Sequence, residues 1–306
     1  MDRRQFLKTS LVGAGMMAGL RVAGDAMAEE QAAVKPVKQA VLKLCSQDGN
    51  IPGGTLKEKA ANILAFGGCG LELAGLSVER AKQVHQELEG TGVGVAAVCV
   101  GRFSLLHPDA AENAKGLERL KEMLTAAGEA GSTGVIVVPA FNRDPQLEGD
   151  EGRKRLLDTL PAIGEHAVKC GTRVLMEPLN KGEAHFLNRL ADAADICRKI
   201  NSPGICMMGD FYHMCKEETD DEQAILAANG WLRHIHLASR IRWLPGQDHL
   251  KEPDKPERSF VAGFRGLKKI GYQDYCSLEC RVEGDPMVEI PKSFAFLKSE
   301  WEKATV

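Results

Sequence analysis

Short apolar runs alternate along the chain with longer stretches in which apolar residues return at helical spacing. "QAVLKLCS" (39–46), "GLELAG" (70–75), "VGVAAVCV" (93–100) and "GVIVVPA" (134–140) predict the first four strands. "TRVLMEPL" (172–179), "GICMMGD" (204–210), "LRHIHLAS" (232–239) and "YCSLEC" (275–280) predict four more. Between them, Ala60, Ile63 and Leu64 share one helical face, as do Val78, Ala81, Val84 and Leu88. A third helix follows Asp109 as N-cap, with Leu117, Leu120 and Leu124 inward, and a fourth spans 150–170 through Leu156, Leu157, Leu160 and Ile163. Thr55 and Glu58 have capping-box spacing. Asn188 is predicted to cap a fifth helix carrying Leu190, Ala194, Cys197 and Ile200, and 218–229, 258–270 and 286–303 read as the remaining helices.

Eight strand–helix units with nearly continuous apolar strands call for a parallel sheet covered on both faces. In a chain of 306 residues this predicts an α/β fold, a (β/α)8 TIM barrel spanning 38–306 as one domain. A doubly wound sheet would use fewer strands, and no GxGxxG stands at the first strand–helix turn.

The amino-terminal residues break the pattern. "MDRRQFLKTS" sets two arginines before an apolar pair, a weak apolar run follows, and "AMA" (26–28) offers a small-x-small cleavage site. Residues 1–28 resemble a twin-arginine export signal, with Asp2 where Ser or Thr is usual, and 29–37 read as a polar lead-in. The implied partner is the twin-arginine export machinery, and the implied address is the periplasm or cell envelope. Nine cysteines, odd in number and scattered, form no disulfide framework. Basic and acidic residues number 39 and 42, so nothing points to a nucleic-acid partner.

Four of the predicted strands carry side chains that an ordinary core would reject. Glu177, Asp210, His236 and Glu279 lie at the ends of strands five, six, seven and eight. In a barrel those ends share one mouth, so residues about a hundred positions apart converge. Three carboxylates and an imidazole would repel one another, and a divalent cation removes that cost. The donor set suits Mn²⁺ first, with Mg²⁺ or Co²⁺ as alternatives, better than structural zinc.

These segments resemble a known family. "EPLNKGEAHFLN", "GDFYHMCKEE", "HIHLASRIRWLPGQ" and "SLEC" are similar to motifs of the D-tagatose and D-psicose 3-epimerase group, within the xylose isomerase-like barrels of the sugar phosphate isomerase/epimerase superfamily. The likeness is specific from 173 to 282 and pattern-level before that. It implies that Glu177, Asp210, His236 and Glu279 bind the metal, and that Glu177 and Glu279 also move the proton. Glu183, His213 and Arg242 would hold the oxygens of a sugar or polyol substrate. The implied reaction abstracts a proton next to a carbonyl through a metal-stabilised enediolate, as in a ketose 3-epimerase or an aldose–ketose isomerase. A metal-dependent dehydratase of a keto-inositol or related polyol uses the same parts. An abasic-site endonuclease would need more ligands and a basic groove, and a non-catalytic sugar-binding protein would not need two bases. Dimers are common in the resembling group, which leaves a homo-oligomer open.

Other residues carry less. His234 reads as a core histidine, deeper than His236 on the same side. Glu72 reads either as a group reaching the mouth or as a solvated strand-end carboxylate. His107, Asn142 and Trp243 are candidates for sugar contact, His185 is expected in a loop, and Trp231 and Trp301 are expected to pack. Ser46 and Ser104 have no His–Asp partners to make them nucleophiles. The long charged stretch after strand seven departs from the family's compact loop, and both a lid and a solvated loop fit it. Lys181 and Gly182, inside the first motif, leave sugar choice open.

Overall fold

The computed structural model describes residues 39–101 and 104–306. The predicted export signal and lead-in lie outside the described residues. Eight parallel strands close in sequence order, each paired with the next and the eighth with the first. They are β1 (Lys43–Gln47), β2 (Gly70–Ala74), β3 (Gly94–Cys99), β4 (Val135–Val137), β5 (Val174–Met176), β6 (Ile205–Asp210), β7 (Leu232–Leu237) and β8 (Tyr275–Leu278). The helices α1 (Leu56–Ala65), α2 (Val78–Leu88), α3 (Ala110–Glu129), α4 (Gly149–Lys169) and α5 (Leu190–Ile200) alternate with the strands. Two short helices, α6 (Phe211–Glu217) and α7 (Asp221–Ala227), follow β6, and α8 (Val261–Lys269) and α9 (Pro286–Lys303) complete the ring. The predicted (β/α)8 barrel is the fold.

Local chemistry explains most element starts. Thr55 and Glu58 form the reciprocal capping box of α1, and Asp109 accepts from Ala111 and Glu112 N–H at the start of α3. Asn188 does not cap α5. The N-cap is Arg189, without a side-chain bond, and the Leu190 N–H is taken by Glu218 Oε1 at 2.8 Å. Asn188 instead donates to the Leu179 and Ala184 carbonyls, because the preceding loop turns back over the end of β5 and offers nearer acceptors. Helix α6 begins directly at the end of β6, where sequence periodicity was too short to predict it. Its N-cap is Asp210, whose Oδ1 accepts from Tyr212 N–H at 2.8 Å.

Helix and strand side chains form the main core between the two layers. On the other strand face, Ala97, Ile136, Leu175, Cys206 and Met208 fill the β3–β6 side of the barrel interior. The β7, β8, β1 and β2 side is polar, with His236 in register with Ser277 and Gln47 with Glu72. The interior is therefore split into an apolar half and a polar half.

Backbone also packs directly on backbone where α4 meets the entry to β6. A Cβ on Gly204 would lie 2.1 Å from the Gly164 carbonyl oxygen. Gly204→Ala must push α4 outward, with an expected stability loss of about 1–3 kcal/mol. An unchanged urea midpoint in that variant would refute the close approach.

Candidate active site

Four carboxyl and imidazole groups from four successive strands meet at the carboxyl end of the barrel. One donor atom from each of Glu177, Asp210, His236 and Glu279 lies within 4.8 Å of the others. Asp210 ends β6 and His236 lies within β7, while Glu177 and Glu279 are the first residues beyond β5 and β8. The strand hydrogen bonds still fix the last two, because Glu177 N–H donates to Val137 O at 3.0 Å and Glu279 N–H to Leu237 O at 3.3 Å.

His236 has an enforced orientation. Its Nε2 lies 2.9 Å from Glu72 Oε2, and a carboxylate oxygen can only accept there, so the ring carries its proton on Nε2. Nδ1 then faces Glu279 Oε2 at 2.7 Å, Glu177 Oε1 at 3.5 Å and Asp210 Oδ2 at 3.8 Å. Neither Nδ1 nor Glu177 Oε1 makes a hydrogen bond, although both are buried. Three carboxylates around Nδ1 call for a positive charge there. Burial lowers the His236 imidazole, but Glu279 and Glu72 outweigh it and hold it well above its ordinary value. Without a cation the ring is therefore protonated, and a bound cation would take that proton's place. The residues therefore fit a divalent cation, held by one nitrogen and several carboxylate oxygens.

Glu72 corrects the sequence reading on both counts. It neither reaches the mouth nor meets solvent, being 1 % exposed beneath His236. Its Oε2 accepts from Nε2 of both His234 and His236 at 2.9 Å, and Oε1 accepts from Gln47 Nε2 at 3.1 Å. His234 is the deeper core histidine expected, with its ring 5.2 Å from that of His236. Carboxylates that orient a ligand histidine from behind commonly tune metal affinity.

The surroundings set Glu177 and Glu279 apart. Burial pushes the Glu177 carboxyl up to about 7, against the pull of His236, with Glu279 and Asp210 adding to the rise. Burial acts the same way on Glu279, but His236 and Arg242 outweigh it and hold that carboxyl below its ordinary value. Asp210 also loses hydration, yet Arg242, His213 and His236 bring it down to about 2.

Helix α6 carries His213 one turn beyond Asp210, with His213 Nε2 3.5 Å from Asp210 Oδ2. Burial holds the His213 imidazole below its ordinary pKa. Arg242 enters from the loop after β7 with φ of 65°, a left-handed conformation that costs energy in a non-glycine residue. Its guanidinium forks onto Asp210 Oδ2 and Glu279 Oε2 and packs 4.7 Å from the Tyr212 ring. Arg242 thus contacts two of the proposed ligands themselves as well as facing the cavity. The loop is tied down: Ser293 Oγ donates to Pro245 O at 2.9 Å, and Gln247 Nε2 to Glu283 O at 2.9 Å.

The cavity at this mouth measures about 140 Å³. Glu177, Glu183, His213, Arg242 and Glu279 give it polar walls, and Val100, Ile136, Val138, Phe141 and Leu179 give it an apolar one. Among the described residues, His107, Asn142 and Trp243 do not line it. Asn142 instead joins two loops, donating to Lys181 O at 2.8 Å and meeting His185 Nδ1 at 2.7 Å. Trp243 lies under Lys251, and Trp231 and Trp301 pack against the core. Asn180, which the sequence reading passed over, is buried between Glu183 and His213. Its only signal was its place in "EPLN".

The model of the xylose isomerase-like TIM barrel matches residues 60–300. The chain belongs to this family. Within the family, it is 30% identical over 271 residues to the 3-dehydro-D-guloside 4-epimerase of Escherichia coli (strain K12), covering 84% of this chain and 100% of that one. It is 36% identical over 139 residues to the D-psicose 3-epimerase of Enterocloster bolteae, covering 45% of this chain and 42% of that one. The apo crystal structure of the E. coli 3-keto-D-glucoside 4-epimerase has a TM-score of 0.74 at 28% identity, covering 85% of this chain and 100% of that one. These relatives are sugar epimerases, and they include the ketose 3-epimerase type to which the sequence motifs pointed.

Proposed function

We propose that this protein is a divalent-metal-dependent sugar epimerase that inverts a carbon next to a ketone. The observation that carries the reading is the pair Glu177 and Glu279, brought from non-adjacent strands to one cavity beside His236 and Asp210. The relatives' names describe inversion at C4 of a 3-keto glycoside and at C3 of a ketose. Both carbons are α to a carbonyl, so one machinery serves both. Because the 4-epimerase relative aligns over its whole length, 3-keto glycosides are the first substrates to test.

On this reading Glu177, Asp210, His236 and Glu279 hold the cation. When bound, it would supply electrostatic stabilisation for the charge that builds on the carbonyl oxygen. Glu177 and Glu279 exchange the α-proton, one removing it and the other returning a proton to the opposite face. Such general acid–base assistance is worth about 10²–10⁴-fold. Glu183 and His213 hold hydroxyls, and Arg242 keeps the Asp210 and Glu279 carboxylates ionised and in place. The apolar wall of Ile136, Val138 and Phe141 covers the carbon framework and limits water at the reacting centre.

The test incubates Mn²⁺-loaded protein separately with 3-keto-D-glucoside, D-psicose, D-fructose and a keto-inositol in D₂O, followed by NMR. Deuterium at C4 of the keto-glucoside or C3 of a ketose is the expected result, lost on EDTA treatment and restored by Mn²⁺. Deuterium at C1 of a ketose, or at C2 of an aldose formed from it, instead points to aldose–ketose isomerisation. Loss of water from a keto-cyclitol, with no exchange in any of the three sugars, would replace the epimerase with the dehydratase.

A further inference from the structure

We propose that Asn180 is a positioning residue that presents Glu183 and His213 to the substrate as a matched acceptor and donor; this rests on the epimerase reading above. Asn180 is 5 % exposed and lies three residues beyond Glu177. Its amide orientation is set by its neighbours. Gly182 N–H donates to Oδ1 at 3.0 Å, so the oxygen must face Gly182. The NH₂ group then points the other way, 2.9 Å from Glu183 Oε1 and 2.8 Å from His213 Nδ1. The Asn180 backbone N–H reaches the same ring nitrogen at 3.1 Å.

Nδ1 of His213 is thus approached by two N–H groups and has no partner to which it could donate. It must accept, which places the ring proton on Nε2, the nitrogen facing Asp210 and the cavity. His213 therefore offers a fixed donor to the substrate. Glu183, with Oε1 engaged by Asn180, turns Oε2 toward a hydroxyl that donates. One amide sets both polarities, and the pair suits a sugar edge on which one hydroxyl is read as donor and another oxygen as acceptor. Gly182 belongs to the same device, because a Cβ there would come within 2.9 Å of Asn180 Oδ1 and displace the bond that orients the amide.

A purely space-filling Asn180 would behave differently. Asn180→Asp keeps the shape but puts an acceptor where the donor stood, beside another carboxylate. Asn180→Ala removes shape and donor together. If donation is the function, kcat/KM for 3-keto-D-glucoside and D-psicose falls on the order of 10²-fold in Asn180→Asp, at least as far as in Asn180→Ala and mainly through KM. Gly182→Ala should show a smaller loss of the same kind. Near wild-type kinetics in Asn180→Asp, with Asn180→Ala the worse variant, would overturn the proposal. ¹⁵N–¹H correlation spectra of EDTA-treated protein give a readout independent of turnover. The His213 proton is expected on Nε2 in the wild type, with Nδ1–H gaining ground in Asn180→Asp. A wild-type proton on Nδ1 would equally overturn it. If the wild type turns over neither sugar, the epimerase reading fails on its own, and the spectra still decide what Asn180 does to His213.

Discussion

Glu279→Gln is expected to lower epimerisation by about 10²–10⁴-fold while leaving sugar binding measurable. The amide retains an oxygen that can face a cation, and its volume matches the carboxylate, so the mouth keeps its shape. It cannot take up a proton at neutral pH. The loss should also be one-sided. Release of the α-proton in D₂O should vanish for the epimer whose proton faces Glu279, and persist at a reduced rate for the epimer facing Glu177. Glu177→Gln should show the opposite preference. NMR of both epimers in D₂O, with calorimetric titration of the sugar, makes the measurement. Wild-type exchange from both epimers in Glu279→Gln would remove Glu279 from proton transfer.

The largest expected effect on stability comes from a residue that no substrate touches. Glu72→Ala leaves His234 and His236 buried without their shared acceptor. Breaking a buried charged pair in this way costs about 3–5 kcal/mol. Burial raises the Glu72 carboxyl, but His236 and His234 outweigh it and hold it well below its ordinary value. A carboxyl whose folded pKa is depressed stabilises the fold above its unfolded value, near pH ~4.3, and loses that contribution as the pH falls toward the folded value. The gap in urea midpoint between wild type and Glu72→Ala, measured in EDTA, should therefore be full at neutral pH and narrow in strong acid. His236 would also lose the bond that aims Nδ1 at the three carboxylates. Cation affinity should fall by about 10–100-fold, as for other partners behind a ligand histidine. Equal Mn²⁺ affinity in Glu72→Gln, Glu72→Ala and the wild type would show that Glu72 does not orient His236.

These two residues differ in how legible they were. Glu279 stands at the end of an apolar run, and Glu177, Asp210 and His236 do the same in three other runs. The closure of an eight-stranded parallel barrel gathers such ends at one rim, so the quartet could be assembled from strand order alone. Glu72 sits in an equally apolar run, yet "GLELAG" has no feature that separates a buried counter-ion from a solvated strand end. Its partners are 162 and 164 residues away. Only barrel closure brings β2 and β7 across the interior from each other.

The loops show the same division. Thr55 and Asp109 cap their helices through bonds spanning two or three residues, which local sequence specifies. Asn188 has an equally good capping side chain, but acceptors supplied by the returning loop outcompete the helix start. The left-handed backbone of Arg242 has no local signature, since it is held by Ser239 O on one side and by Arg281 N–H on the other.

Periodicity of apolar residues, set by the 3.6-residue helix and the buried parallel strand, by itself determined the barrel and the strand order. With that order came the four groups that meet at its mouth. Tertiary structure alone decided the proton position on His236, the bridging of Asp210 and Glu279 by Arg242, and the coupling of Glu183 to His213 through Asn180. The physical reason is range. Burial patterns repeat every few residues and are written locally, whereas the direction of a hydrogen bond or a buried charge depends on whichever partner the closed barrel places within about 3 Å.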